Sequence, residues 1–189
     1  MIKRLIDIST EVRVGFTFRE KLLNDPLGDV AVVQLRDADY SKLYINDIGV
    51  KIKDKGLKSI YFLQKGDIIF AAKGSNNKAS VFNADIKTVA SSVFFIIRLN
   101  TEYALAAYVA WYINSKLGQA DINSIKDNST TINIKKKDLE NLPISLPSLE
   151  KQKQIAALAE LSLREMEIMD EVKIKRRLLN EQIIINSII

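Results

Sequence analysis

After Ser148 the chain runs 41 residues without a glycine or a proline. Few folds accommodate such a run. Pro143 and Pro147 stand just before it, and each fixes its own φ and pushes its predecessor away from the helical region, so "NLPISLP" is held extended. Ser148 is then a good N-cap, and Glu150 falls in the first turn, where the helix dipole favours an anion. A helix over 148–189 would be roughly 60 Å long at about 1.5 Å per residue, about twice the width of a small domain. No single-domain core can cover it.

An apolar stripe along this segment runs through Ile155, Leu158, Ala159, Met166, Met169, Val172, Leu179 and Ile183, mostly at spacings of three, four or seven. Those are the spacings of a coiled-coil seam, interrupted here by Ser162, Glu165 and Arg176. A helical hairpin packed on its own domain would need a turn signal. None stands mid-segment before Asn180, which favours pairing with a helix of another chain. The expected seam is Ile155, Leu158, Met169, Val172, Leu179 and Ile183.

Charge divides along the same boundary. Residues 148–189 carry seven Lys/Arg and seven Asp/Glu, while residues 1–147 carry 21 basic and 16 acidic side chains. The whole excess of +5 therefore lies in the first part. A basic domain beside a neutral helix suits a polyanion on the former and a protein partner on the latter, although +5 also serves as a plain solubility margin. Cysteine and histidine are absent. There is no disulfide framework and no thiolate chemistry, and the usual general base and zinc ligand are missing. No apolar run reaches the roughly 18 residues that span a membrane, and "MIKRLIDIST" has no secretory core, so a cytoplasmic, metal-free protein is expected.

Between residues 30 and 99, "VAVVQLR", "LKSIYFL", "DIIFAA", "ASVF" and "VFFIIRL" read as strands, with "QKGD" and "KGSNNK" as turns. "NTEYALAAYVAWYINSKLGQADI" reads as a helix capped by Asn100 or Thr101, with Leu105, Val109, Tyr112 and Ile113 on one face and Gly118 at its end or kink. "DNSTTINI" is a polar loop feeding an extended piece, and "KKKDLENL" is a helical turn. The expected class is α/β (α+β): one β-rich domain over 1–147, then a long C-terminal coiled-coil helix over 148–189.

No G-x-G-x-x-G or G-x-x-x-x-G-K-[ST] occurs, so no cofactor or nucleotide cradle is expected. Asp67 with Asp85 and Lys87 offers the carboxylates of a Mg²⁺-dependent nuclease, but D-x-K triplets arise by chance in a lysine-rich chain. No active site is expected.

Three segments together resemble the specificity subunit of type I restriction–modification systems. They are "GFTFR" (Gly15 to Arg19) with the later "VVQLRDAD", then "LQKGDIIFAAKGS", and finally "DLENLPISLPSLEKQKQIA" with its L-x-x-Q helix start. The chain departs from the family pattern at Ser148 and Lys151, and more seriously in length. A full specificity subunit has two target-recognition domains, each followed by a conserved helix, and this sequence has one of each. The resemblance implies a non-catalytic, half-subunit DNA reader whose partners are double-stranded DNA, a modification (methyltransferase) subunit, in some complexes a restriction subunit, and a second copy of itself. One domain would read one half-site, and a homodimer two inverted ones. A protein-binding scaffold assembled by its coiled coil is the alternative.

Reading DNA needs donors and acceptors at base edges and cations at phosphates. "AAKGSNNKAS" offers Lys73, Gly74, Ser75, Asn76, Asn77 and Lys78, a set that equally suits an ordinary β-turn. "SIKDNSTT" offers Lys126, Asn128, Ser129 and Thr130, which also suit a solvated loop. "RVGFTFR" adds Arg13, Thr17 and Arg19, and "QLRDAD" adds Gln34 and Arg36, the arginine also being placed to pair with Asp37 or Asp39. Lys135 to Lys137 suit loose phosphate contact or a solvated face. Tyr108, Trp111 and Tyr112 suit a core better than base stacking.

Overall fold

A computed structural model describes residues 1–38, 42–74, 76–125 and 133–188. Its strands are β1 (Ile2–Arg4), β2 (Ser9–Val14), β3 (Val30–Val33), β4 (Tyr44–Ile45), β5 (Lys51–Ile52), β6 (Ile68–Ala71), β7 (Ala79–Phe82), β8 (Thr88–Ala90), β9 (Phe94–Leu99) and β10 (Pro143–Ser145). The helices are α1 (Ala106–Asn114), α2 (Lys116–Ile125), α3 (Lys136–Glu140) and α4 (Leu149–Asn186).

The central sheet has the order β2-β9-β6-β7-β4, antiparallel except for the parallel β7–β4 pair. Its strands are apolar on both sides because both faces are covered. Ile68 and Phe70 of β6, and Phe95, Ile97 and Leu99 of β9, pack with α1 and the start of α4 through Tyr108, Val109, Ile113 and Ala156. The alternating residues Ile69, Ala71, Phe94 and Ile96 pack with Val33 and Ala90 of a second sheet, ordered β5-β3-β8. Two-sided burial turns the usual alternation into continuous apolar runs, which is why "DIIFAA" and "VFFIIRL" are legible as strands. A two-stranded sheet, β1 against β10, joins the beginning of the chain to the proline segment.

The β-rich class and the long terminal helix agree with the sequence reading, and three details differ. "LKSIYFL" forms a 3-10 turn at Ser59–Tyr61 and meets the outer edge of β8 at a single Phe62–Val89 bridge. The first helix starts at Ala106, with no capping side chain of its own. Asn100 instead accepts from Glu102 N in the preceding turn. That helix also breaks at Ser115, three residues before Gly118, where the Ser115 hydroxyl donates to Tyr112 O.

Helix α4 begins as expected, with Ser148 Oγ accepting from Lys151 N at 3.3 Å. Its first turns belong to the core: Gln152, Ala156 and Ala159 are buried, and Leu163 and Glu167 are half-buried. A salt bridge of 3.2 Å from Lys42 to Glu167 marks the last attachment. From Ile168 to Ile188 every residue is exposed, so the second half of the helix does not fold back on the domain.

Candidate nucleic-acid interface

Strand ends decide which loops meet. Gly15 N donates to Phe94 O and Phe16 N to Ala90 O, so the chain leaving β2 passes the turn that joins β8 to β9. Ser91 N donates to Val33 O, which brings the end of β3 to the same place. Ala72 N donates to Val93 O, and Ile134 N donates to Ala72 O beside a bridge between Lys73 and Asn133. The segments after β2 and β3, the β6–β7 turn, Ser91–Val93 and Asn133 thus share one end of the sheets. A Cβ on Gly15 would sit 2.2 Å from Ser91 O, so this approach requires glycine.

On that end, Thr17, Arg36, Lys73, Gly74 and Asn76 are exposed, while Gln34 and Lys78 are half-buried. Arg19 is exposed two residues past Thr17, after Phe18 turns into the small cluster of Val30, Val50 and Val89. Among the described residues no ion pair engages Arg19, Arg36, Lys73 or Lys78. Arg36 does not pair with Asp37, whose carboxylate accepts from Gln34 N at 2.8 Å and caps the turn. The site is therefore a cluster of unneutralised cations and amides, an arrangement that can hold phosphates and present hydrogen-bond donors.

Two nominated side chains face inward instead. Asn77 is buried and donates through Nδ2 to Ala71 O at 2.9 Å, closing the β6–β7 turn from within. Arg13 donates to Phe62 O at 3.2 Å and lies 3.3 Å from Glu11. Ser75, Lys126, Asn128, Ser129 and Thr130 lie outside the described residues, as do Asp39 and Thr131.

The helices hold the β6–β7 turn from behind. Asn114 accepts from Ala79 N at 2.8 Å and donates to Ala79 O at 2.7 Å. Gln119 Nε2 donates to Asn77 O at 3.0 Å and to Ile113 O at 2.9 Å. These supports come from either side of the Ser115 break. Sequence reading missed them, together with the Ser91–Val93 turn and Asn133. The consecutive serines of "ASSVF" were the available turn signal.

The two carboxylates of the nuclease alternative are occupied elsewhere. Asp67, 1% exposed, receives Arg98 Nε and Nη2, both at 2.7 Å, and Gln64 N at 2.9 Å. The hydrogen bonds to Asp67 raise the Arg98 pKa further above its ordinary value. Asp85, 87% exposed, pairs with Lys65 at 2.6 Å. Tyr108 and Tyr112 are buried, and half-buried Trp111 packs against the same core, in keeping with the sequence reading. Among the described residues, no helix is long and apolar enough to cross a membrane.

Comparison with known proteins gives a consistent picture. The sequence profile described as "Type I restriction modification DNA specificity domain" matches residues 3–182. A solved structure from work on complex assembly and conformational transition of the type I R-M system is similar with a TM-score of 0.72 at 16% identity, over 97% of this chain and 43% of that one. The HsdS subunit from Thermoanaerobacter tengcongensis is similar at 0.61 and 20% identity, over 96% and 45%. The type I restriction–modification S subunit from M. genitalium is similar at 0.58 and 20%, over 96% and 44%. The chain thus spans less than half the length of these solved relatives, whose likeness establishes the fold. With the profile covering nearly every residue, this chain belongs to the type I restriction modification DNA specificity domain family.

Proposed function

We propose that the protein is the DNA-sequence-recognition component of a type I-like restriction–modification (DNA methyltransferase) complex. It is non-catalytic, acts in the cytoplasm, and reads one half-site of double-stranded DNA per chain. In this reading residues 1–147 recognise DNA, and the helix over 148–189 spaces and pairs two copies. The modification subunit brings the methyl-transfer chemistry, and a restriction subunit is an optional third member.

The observation that carries the reading is the convergence of Thr17, Arg36, Lys73, Gly74 and Asn76 at one end of the sheets, with cations that no acidic group among the described residues neutralises. Asn76 suits an adenine edge, and Lys73 and Arg36 suit guanine or phosphate. Lys78, Gln34 and Arg19 extend the same surface, and Ser75, Lys126, Asn128, Ser129 and Thr130 are proposed as further contacts on the strength of the sequence alone. Asn77 and Arg13 serve it from inside, by shaping the turn and the end of β2.

The test is binding to a target DNA selected with the methyltransferase complex. Lys73→Ala or Asn76→Ala should weaken binding by about 1–3 kcal/mol while leaving the melting temperature unchanged. Early melting of either variant would mark the turn as structural. No binding to DNA even at low salt, where phosphate contacts are strongest, would point to a protein-binding scaffold.

A further inference from the structure

The β6–β7 turn that presents Lys73 and Asn76 is gripped on both shoulders by residues of one later stretch of chain, between Asn114 and Ile134. On the shoulder entering the turn, Ile134 N donates to Ala72 O and Asn133 bridges Lys73. On the shoulder leaving it, the Asn114 amide exchanges two hydrogen bonds with Ala79, two residues before β4 begins to pair with β7 at Val81. Asn114 thus completes a strand edge. Gln119, near the start of α2, reaches the turn itself.

The peptide unit between Asn77 and Lys78 is held at both ends. Its carbonyl, Asn77 O, accepts from Gln119 Nε2 at 3.0 Å, and its N–H, on Lys78, donates to Asn76 O at 3.0 Å. The same Gln119 nitrogen donates to Ile113 O at 2.9 Å, so both of its protons are engaged and the side chain is tied to the end of α1.

We infer that Gln119 is a positioning residue for sequence recognition: it fixes the tilt of the Asn77–Lys78 peptide, and through it the aim of the exposed Asn76 amide, without touching DNA. This rests on the DNA-reading role proposed above for Asn76. Without the Gln119 donors, that peptide is held only through its N–H and can tip. Asn76 supplies the acceptor of that remaining bond, so it moves with the peptide. A bidentate amide–adenine contact needs two hydrogen bonds aligned at once, and such bonds weaken steeply when misaligned. Phosphate contacts by Lys73 and Lys78 tolerate the movement, because an ammonium on a flexible stem follows its phosphate. The loss therefore falls on discrimination between sequences and spares the general attraction to DNA.

The test uses the full chain and two kinds of duplex, one bearing the motif methylated by the co-expressed methyltransferase complex and others changed at a single base pair of it. Asn76→Ala marks the base pair at which that side chain discriminates. Gln119→Met, similar in size but without a donor, should lower the preference for the target by about tenfold at that same base pair. The salt dependence of its binding should match the parent's, since the phosphate contacts remain. In a chain already carrying Asn76→Ala, Gln119→Met should change the preference no further. Should Gln119→Met not fold, Gln119→Asn, whose shorter amide cannot span both carbonyls, carries the same expectations. An unchanged preference, equal weakening at every base pair, or additive effects of the two substitutions would overturn the inference and leave Gln119 as scaffold alone. A parent chain with no preference among the duplexes would overturn the DNA-reading role of Asn76, and the positioning role with it.

Discussion

Asn76 and Asn77 are neighbours in sequence and opposites in space: one is exposed and the other closes the turn through Ala71 O. Composition cannot separate them, because alternation across a turn depends on which backbone carbonyl is in reach. The same holds for Gln152, visible in sequence as the Q of L-x-x-Q. It is fully buried, accepts from Leu105 N at 3.0 Å, and donates to Tyr103 O at 3.1 Å and Pro147 O at 3.0 Å. One side chain of α4 thus caps the start of α1 and pins the proline segment. Gln152→Leu leaves three part-buried backbone groups without this partner and should cost about 2–3 kcal/mol in denaturant unfolding, with DNA contacts untouched. Gly118→Ala should also destabilise the domain, because its Cβ would sit 2.2 Å from Tyr112 O, a backbone atom that cannot swing away. A loss of about 2–4 kcal/mol is expected in the same measurement, at the upper end of single substitutions.

At the scale of elements, α4 is one helix with two environments. Its first half is anchored by buried Ala156 and Ala159 and ends at the Lys42–Glu167 bridge; its second half, from Ile168 to Ile188, is exposed throughout. Hydrogen bonds from Arg164 and then Lys42 hold the Glu167 carboxyl below its ordinary pKa. A value lowered by folding means that the stabilisation is fully present above the ordinary glutamate range and is lost as pH falls through the lowered value. Glu167→Gln should therefore melt slightly earlier than the parent near neutral pH, and the gap should close in acid. Melting curves at both pH values check this. The β6–β7 hairpin shows the reverse relation, a flexible-looking loop held by Asn114 and Gln119 from the helices behind it. Its strands were legible because burial on both faces makes them continuously apolar; its supports were not, because they come from 35 or more residues away.

For the whole molecule, the consequence of the proposed pairing is distance. In the proposed dimer, helices that pair antiparallel over residues 168–188 would hold the two domains at opposite ends of the rod. Small-angle scattering should therefore show two separated lobes, whereas parallel helices would bring the domains together. The sequence by itself determined the β-rich class, the start of the long helix at Ser148 and the basic bias of the first part. All of these follow from local rules: proline and capping geometry, side-chain periodicity and counted charge. Tertiary structure alone decided that the segments after β2 and β3 meet the β6–β7 turn, that Asn77 and Arg13 point inward, and that five turns of α4 belong to the domain. Strand order and register bring residues together across long stretches of chain, and no local pattern records which strand end will face which.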